Sequence, residues 1–246
     1  MALVSWGLFL AGAFVAEVIG TMAGFGAATV LTPIAAAFLD IKTAIAVVAC
    51  FHLFGTGSRL VFFGRFVHWK TWACFGLTGV VCSLLGAQVT ARLPSPMVRL
   101  LFGAFLLVYV GCEASAAGRF RLPARTSTLV GGGAVSGLIA GLLGTGGAIR
   151  SACLLVFGLP KDVYIGTSAA IAIMVDATRV PVYLAQRLIP GALLPVIASL
   201  IPAAFAGAWL GQRLVRRVSP AVFRWIVMGM LTLTGLKMAW DGWHGV

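Results

Sequence analysis

The sequence predicts an all-α polytopic membrane protein, and its composition gives the first reasons. The chain has 246 residues, of which 18 are Lys or Arg and 6 are Asp or Glu, so that 10% are charged. Soluble domains carry about 25% charged residues. Hydrophobic residues make up 61% of the chain, and the mean hydropathy is +1.05. These values exclude a soluble enzyme, a disordered chain and, despite a net charge of +12, a nucleic-acid-binding protein.

The third reason is a series of eight hydrophobic segments. Each is comparable with or longer than the roughly 20 apolar residues that a membrane-spanning helix needs. The segments cover residues 1–39, 43–63, 71–91, 100–117, 126–159, 163–184, 188–212 and 221–240. The connections between them carry most of the charge and are too short to hold a soluble domain, so we expect the protein to act within the bilayer.

The first and fifth segments are too long for one crossing, and glycines interrupt both. The glycines are Gly20, Gly24 and Gly26 in the first segment, and Gly141, Gly144, Gly146 and Gly147 in the fifth. Glycine costs up to about 1 kcal/mol relative to alanine inside a helix, and it permits the backbone conformations of a break. We therefore expect each segment to form two helical pieces, which raises the helix count from eight to ten.

The two breaks also align with each other, which predicts two internal repeats. GTMAGFGA at 20–27 matches GLLGTGGA at 141–148. Three further matches follow in the same order: Arg59 with Arg179, Gly86-Ala87 with Gly207-Ala208, and Ser95-Pro96 with Ser219-Pro220. We predict repeats over residues 1–121 and 122–246, joined in one transmembrane domain.

The distribution of basic residues bears on how the repeats are oriented. If each broken segment crosses the membrane once, the repeats are parallel, and the two faces carry eight and seven basic residues. If each broken segment is a hairpin, the repeats are inverted. One face then carries ten basic residues, namely Arg65, Lys70, Arg119, Arg121, Arg125, Lys161, Arg213, Arg216, Arg217 and Arg224. The other face keeps five, which are Lys42, Arg92, Arg99, Arg187 and Lys237. The positive-inside rule favours the hairpins.

Inverted repeats with paired helix breaks are typical of secondary transporters, which bind substrate at the discontinuous helices. A broken helix exposes unpaired N–H groups and the positive end of its dipole, and both favour an anion. The chain has no phosphate-binding Gly-Lys-Ser/Thr motif, which argues against an ATP-driven pump.

Three stretches resemble the sulfite exporter TauE/SafE family. They are GTMAGFGAATVLTP at 20–33, GLIAGLLGTGGAIRSA at 137–152 and IGTSAAIAI at 165–173, and the segment count and short loops agree along the whole chain. The resemblance implies a non-enzymatic secondary transporter that exports sulfite, sulfoacetate or a related organosulfonate across the bacterial inner membrane. It implies no cofactor or metal. The expected partners are the small anion and the lipid bilayer, without nucleic acid; a homodimer is left open.

Arginines within the apolar segments are candidate substrate contacts, because a charge at bilayer depth costs at least about 2.5 kcal/mol on insertion scales. Arg150 follows the second break, where its guanidinium can bind an oxyanion through two hydrogen bonds; the alternative is an arginine that snorkels to the interface. Arg179 is a second candidate, and Arg59 is its counterpart in the first repeat. The remaining candidates offer backbone N–H groups or hydroxyls near the breaks: Gly24, Gly26, Thr145, Gly146, Gly147, Thr167 and Ser168.

Three further residues are candidates for proton coupling. Glu17 precedes the first break, and its alternative role is a structural hydrogen bond to the other break. Asp176 lies three residues before Arg179, so the two share a helix face and can instead form a structural ion pair. His52 can change charge near neutral pH, although a lone histidine in an apolar helix is more often a packing residue.

Two other functions compete with a sulfur-anion exporter. The first is a channel or a structural membrane protein, or a transporter for another small organic anion. The second is an intramembrane hydrolase that uses Ser136 with His52, but no nucleophile-elbow motif surrounds Ser136.

Overall fold

The computed structural model describes residues 3–23, 26–115, 123–214 and 220–245. These residues form ten α-helices and two short 3₁₀ turns, at Gly64–Phe66 and Gly191–Leu193. The first five helices are α1 (Leu3–Ala23), α2 (Ala28–Ala36), α3 (Ile41–Phe63), α4 (Trp69–Arg92) and α5 (Ser95–Ser115). The second five are α6 (Thr126–Leu143), α7 (Gly147–Leu155), α8 (Lys161–Ala185), α9 (Leu194–Leu214) and α10 (Pro220–Trp243). The all-α class is confirmed.

Several of these helices have the length and composition of membrane spans. Among the described residues, six helical stretches are long and apolar enough to cross a bilayer, and they coincide with α3, α4, α5, α6, α8 and α9. On α4, Leu77, Val81 and Leu85 repeat every four residues and are 54–59% exposed. An apolar stripe of this kind on the outside of a helix bundle fits a lipid environment.

The first hydrophobic segment is a helical hairpin, which we call hairpin 1 (α1 and α2). The chain turns at Gly26, whose φ of +93° is in the region that favours glycine and whose N–H donates to Gly20 O at 3.2 Å. A Cβ placed on Gly12 of α1 would lie 2.9 Å from Ile34 Cγ2 of α2. Because Gly12 and Ile34 lie on opposite sides of the turn and still meet, α2 returns along α1.

The fifth hydrophobic segment is a second hairpin, hairpin 2 (α6 and α7). Helix α6 ends at Gly144, which has φ +79° and donates its N–H to Ala140 O at 2.9 Å, as in a left-handed C-cap. The Ser136 hydroxyl donates to Gly146 O at 2.8 Å. A Cβ on Gly132 would lie close to Cys153 Sγ, so α7 runs back along α6.

Glycines allow the long helices to pack closely against the hairpins. Gly133, Gly137 and Gly141 of α6 face the backbone of α4 so closely that a Cβ at any of them would overlap it. Gly207 and Gly211 of α9 approach α1 in the same way. Small residues at helix contacts are the usual means of close approach in membranes.

The helix contacts repeat when each of the first five helices is replaced by the helix five positions later in the chain, and each of the second five by the helix five positions earlier. Helix α1 packs on α9 and α6 packs on α4; α3 packs on α8 at the centre, and α5 packs on α10. This exchange supports the predicted repeats, which stay a prediction. Their boundary at residues 121 and 122, like Arg119, Arg216, Arg217 and Ser219, lies outside the described residues.

Candidate functional site

A cavity of about 400 Å³ lies where the ends of several helices meet. Its walls come from α1, α3, α7, α8 and α9. The lining residues are Thr21, Thr56, Arg59, Phe63, Arg150, Lys161, Asp162, Tyr164, Ile165, Ser168, Ala169 and Gln212. Two elements of the predicted site therefore meet here, because Arg150 and Ser168 come from the second repeat and Arg59 comes from the first.

Arg150 is the most deeply placed cation in this cavity. It lies in the first turns of α7 and is only 8% exposed. Its Nε–H donates to Ser168 Oγ of α8 at 3.0 Å. Since the hydroxyl fixes the plane of the guanidinium, the two Nη groups present their N–H donors in a fixed direction.

Arg59 lines the same cavity from α3 and is bound to α1. Its Nη2 donates to Glu17 Oε1 at 2.8 Å and to Thr21 Oγ1 at 3.0 Å. The Thr21 hydroxyl donates in turn to Glu17 Oε1 at 3.2 Å. Glu17 is 1% exposed and does not itself line the cavity, so this carboxylate forms a second layer behind Arg59.

The remaining polar groups make the lining suitable for an anion. Among the lining residues that the structure describes, Lys161 adds a third cation, against the single carboxylate of Asp162. Thr56 lies one turn before Arg59 and is 2% exposed, and its hydroxyl has no hydrogen-bond partner among the described residues. A buried hydroxyl without a partner is costly unless something else binds it, and a bound oxyanion would accept this hydrogen bond.

Arg179 binds to a different part of the protein from its counterpart Arg59. It is 2% exposed and is absent from the described cavity lining. Its Nε donates to Asp176 Oδ1 at 2.9 Å, and its Nη1 and Nη2 donate to Ala140 O and Gly144 O at the end of α6. Tyr183 adds a hydrogen bond to Gly141 O at 2.6 Å. A cation at a helix C-terminus neutralises the dipole and satisfies its last carbonyls, so Arg179 caps hairpin 2.

His52 completes this buried network at the centre of the molecule. Its Nδ1 is 2.7 Å from Asp176 Oδ2, which places Asp176 between His52 and Arg179. The Nε2 of His52 is buried and has no partner in the described part of the chain. It points towards the turn of hairpin 1, because a Cβ on Gly26 would lie 2.6 Å from it.

The turns of the two hairpins touch each other. The Thr29 hydroxyl, at the start of α2, lies 2.5 Å from the Thr145 hydroxyl in the second break. Gly146 and Gly147 continue this second break into α7. Gly24 lies outside the described residues. The contact joins the breaks as the repeat alignment leads one to expect.

Sequence reasoning selected some of the cavity residues and missed others. Arg59, Arg150 and Ser168 line the cavity, whereas Thr167 accepts a hydrogen bond from the His68 N–H at 2.8 Å. The polar lining residues missed by sequence reasoning are Thr21, Thr56, Lys161, Asp162, Tyr164 and Gln212. One of them had a signal: Thr56 precedes Arg59 by three residues, as Asp176 precedes Arg179.

Comparison with known proteins identifies one family. The family model described as "Sulfite exporter TauE/SafE" matches residues 8–238, which is nearly the whole chain. The comparison with curated proteins found no match, and the comparison with solved structures found none either.

Proposed function

The chain belongs to the sulfite exporter TauE/SafE family, and on this premise we propose that it is a proton-coupled secondary transporter that exports sulfite, sulfoacetate or a related organosulfonate across the bacterial inner membrane. The family implies a multi-pass membrane transporter of sulfur-containing anions. The choice among these anions, the coupling to protons and the cellular membrane are our own proposals.

The cationic cavity is the observation that carries the proposal. Sulfite and sulfonates each present three oxygens on one sulfur, and a guanidinium binds two such oxygens side by side. Arg150 offers its Nη groups for this contact, Arg59 and Lys161 add positive charge, and Thr56 offers an unpaired hydroxyl. Arg150 is 8% exposed and Thr56 is 2% exposed, so their interactions with an anion would be stronger than those of exposed groups at the protein surface.

The position of the cavity is consistent with loading from the cytoplasm. Its lining includes Phe63 at the end of α3 and Lys161 at the start of α8, which lie towards one face of the helix bundle. In the hairpin arrangement this face carries ten basic residues and is cytoplasmic by the positive-inside rule. The described conformation would therefore face inward, and export would need the two repeats to move about the meeting hairpins.

Three buried residues are suitable proton carriers for such a cycle. Glu17 contacts the cavity residue Arg59, while Asp176 and His52 form a pair that adjoins hairpin 2 through Arg179. Each of these titratable side chains is therefore linked, directly or through an arginine, to a helix or hairpin that would move during the transport cycle.

The proposal is tested by flux in proteoliposomes that contain the purified full chain. We expect saturable uptake of ³⁵S-labelled sulfite or sulfoacetate that depends on an imposed pH gradient. Arg150→Ala should abolish this uptake, while the protein stays folded and inserted. Arg224→Ala is the matched control, because Arg224 forms an exposed pair with Glu113 and should transport like the wild type.

Three results would count against the proposal. Wild-type flux from Arg150→Ala would remove the assigned anion contact. Flux that does not saturate and ignores the gradient would indicate a channel, and competition by carboxylates equal to that by sulfonates would indicate a transporter for other organic anions.

A further inference from the structure

The pair between Glu17 and Arg59 joins a cavity residue to a carboxylate that the anion cannot reach directly. Arg59 Nη2 lies 2.8 Å from Glu17 Oε1, and the Arg59 side chain is 16% exposed whereas that of Glu17 is 1% exposed. Arg59 therefore faces the cavity and Glu17 at the same time. An anion that enters the cavity meets a cation that already has a partner.

Glu17 has few other ways to keep its negative charge. Its Oε2 is buried and has no hydrogen-bond partner in the described ranges. Two glycines, which have no side chain to offer, pack against Glu17. A Cβ on Gly55 would lie 3.1 Å from Glu17 Oε2, and a Cβ on Gly207 would lie 2.8 Å from Glu17 Cβ. The carboxylate thus depends on Arg59 and on the Thr21 hydroxyl.

The charged groups on the surrounding helices do not replace Arg59. Helix α2 has no charged residue, and α1 has none besides Glu17. On α9 the charged residue is Arg213, whose guanidinium stacks 3.7 Å over the Trp209 ring. On α3, Lys42 lies at the opposite end of the helix from Arg59 and donates to Ala91 O at 3.2 Å. The other charged and histidine side chains of α3, α7 and α8 either line the cavity or belong to the central network, and those are His52, Arg150, Lys161, Asp162, Asp176 and Arg179.

We propose that Glu17 and the transported anion exchange places as the partner of Arg59, so that each anion bound by Arg59 is accompanied by one proton on Glu17. This inference rests on the proposed function and specifies its coupling. The anion and the proton then move in the same direction, as a symport, so that export is driven by the outward concentration gradient of the anion and carries one proton out with each anion.

Charge balance is the physical reason for this coupling. In the empty state, Arg59 and Glu17 neutralise each other. When an anion takes Arg59, an ionised Glu17 would be left buried without a counter-ion, and an unpaired buried charge is strongly unfavourable. Uptake of one proton from water by the carboxylate restores neutrality, and release of the anion lets Arg59 return and the proton leave. For a monovalent anion such as methanesulfonate, both states of the site carry the same net charge, so its movement across the membrane needs no uncompensated charge.

The test measures proton and anion movement together in proteoliposomes of the full chain. The probes are methanesulfonate and sulfoacetate, because both stay ionised between about pH 6 and 8 and carry no proton themselves. With the membrane potential clamped, an inward gradient of either probe should acidify the lumen by about one proton for each sulfonate group taken up. Lumenal alkalinisation during uptake, or uptake without a pH change, would overturn the exchange. Absence of uptake of both probes would overturn the proposed function and, with it, the exchange.

The variant Glu17→Gln separates coupling from binding. Glutamine cannot complete the proton cycle, so the empty carrier returns with Arg59 unpaired. Net uptake should fall by about 100-fold or more, as expected for an unpaired buried charge. Exchange of internal for external anion needs no empty return, so counterflow should stay within about twofold of wild type and lose its dependence on pH. Counterflow also reports that the variant is folded.

Net, proton-coupled uptake by Glu17→Gln at the wild-type rate would contradict the proposal. Glu113→Gln, which alters another helical carboxylate paired with an arginine, is the control and should leave both rates unchanged.

Discussion

Replacing Arg179 by glutamine should destabilise the protein more than any change of an exposed arginine. Arg179 is 2% exposed, pairs with Asp176 and donates to two carbonyls at the end of α6. Glutamine is shorter and uncharged, so it leaves Asp176 with His52 alone and leaves the carbonyls of Ala140 and Gly144 without their charged donor.

The size of the effect follows from these contacts. Removing one partner of a buried ion pair costs about 3–5 kcal/mol. Each hydrogen bond from a charged donor contributes about 1.5–3 kcal/mol, but contacts that share one side chain do not add. We therefore expect the free energy of unfolding to fall by about 3–5 kcal/mol. At about 2–4 °C per kcal/mol, this loss lowers the melting temperature by roughly 10 °C.

Thermal unfolding in detergent, followed by intrinsic fluorescence, measures this loss. Arg224→Gln is the control, because its pair with Glu113 is exposed and should contribute less than about 1 kcal/mol. The double variant Arg179→Gln with Asp176→Asn removes both charges and should be less destabilised than the sum of the single changes. A loss for Arg179→Gln no larger than that of the control would refute the capping role of Arg179, and strict additivity of the two changes would refute its coupling to Asp176.

Two further predictions concern the hairpins and the cavity. Gly26→Ala should lower the free energy of unfolding by about 1–3 kcal/mol, because φ is +93° and the new Cβ would lie 2.6 Å from His52 Nε2. Gly7→Ala is the control, since its new Cβ meets nothing within 4 Å. Equal melting temperatures for the two variants would contradict the strain at Gly26. Ser168→Ala should raise the anion concentration for half-maximal uptake by about tenfold, because it removes a hydrogen bond to a charged group and lets the guanidinium plane of Arg150 rotate. An unchanged concentration would show that this hydroxyl does not orient the guanidinium.

Local patterns in the sequence were sufficient to predict the broken helices. The glycines at 20, 26, 144 and 146 mark both breaks because glycine conformation is a property of single residues. The asymmetry of basic residues favoured hairpins, and the contacts of Gly12 with α2 and of Gly132 with α7 show that the chain reverses at each break. The pairing of Asp176 with Arg179 was similarly accessible, since residues three apart on a helix are neighbours.

Contacts between distant segments were beyond this reasoning. Nothing in the local pattern distinguishes Arg59, which pairs with Glu17 beside a cavity, from Arg179, which caps α6 across 35 residues of chain. The segment boundaries place Lys161 and Asp162 in a connection, yet both residues lie in the first turn of α8 and line the cavity. Such roles depend on which helices pack together, and that is decided by the fit of whole surfaces rather than by spacing along one segment.

The central claim is that a sulfur-containing anion occupies the cavity beside Arg150, and cysteine protection at Thr56 tests it most directly. In a chain whose five native cysteines are replaced, Thr56→Cys places a thiol in the cavity lining. We predict that the anionic sulfonatoethyl methanethiosulfonate reagent modifies this thiol about tenfold faster than its cationic trimethylammonium analogue, because the cationic lining concentrates anions. Sulfoacetate should slow the reaction at Thr56→Cys and leave it unchanged at Ser127→Cys, an exposed position in the first turn of α6 that is outside the described cavity lining. Faster modification by the cationic reagent, or equal rates with and without sulfoacetate at Thr56→Cys, would contradict the claim.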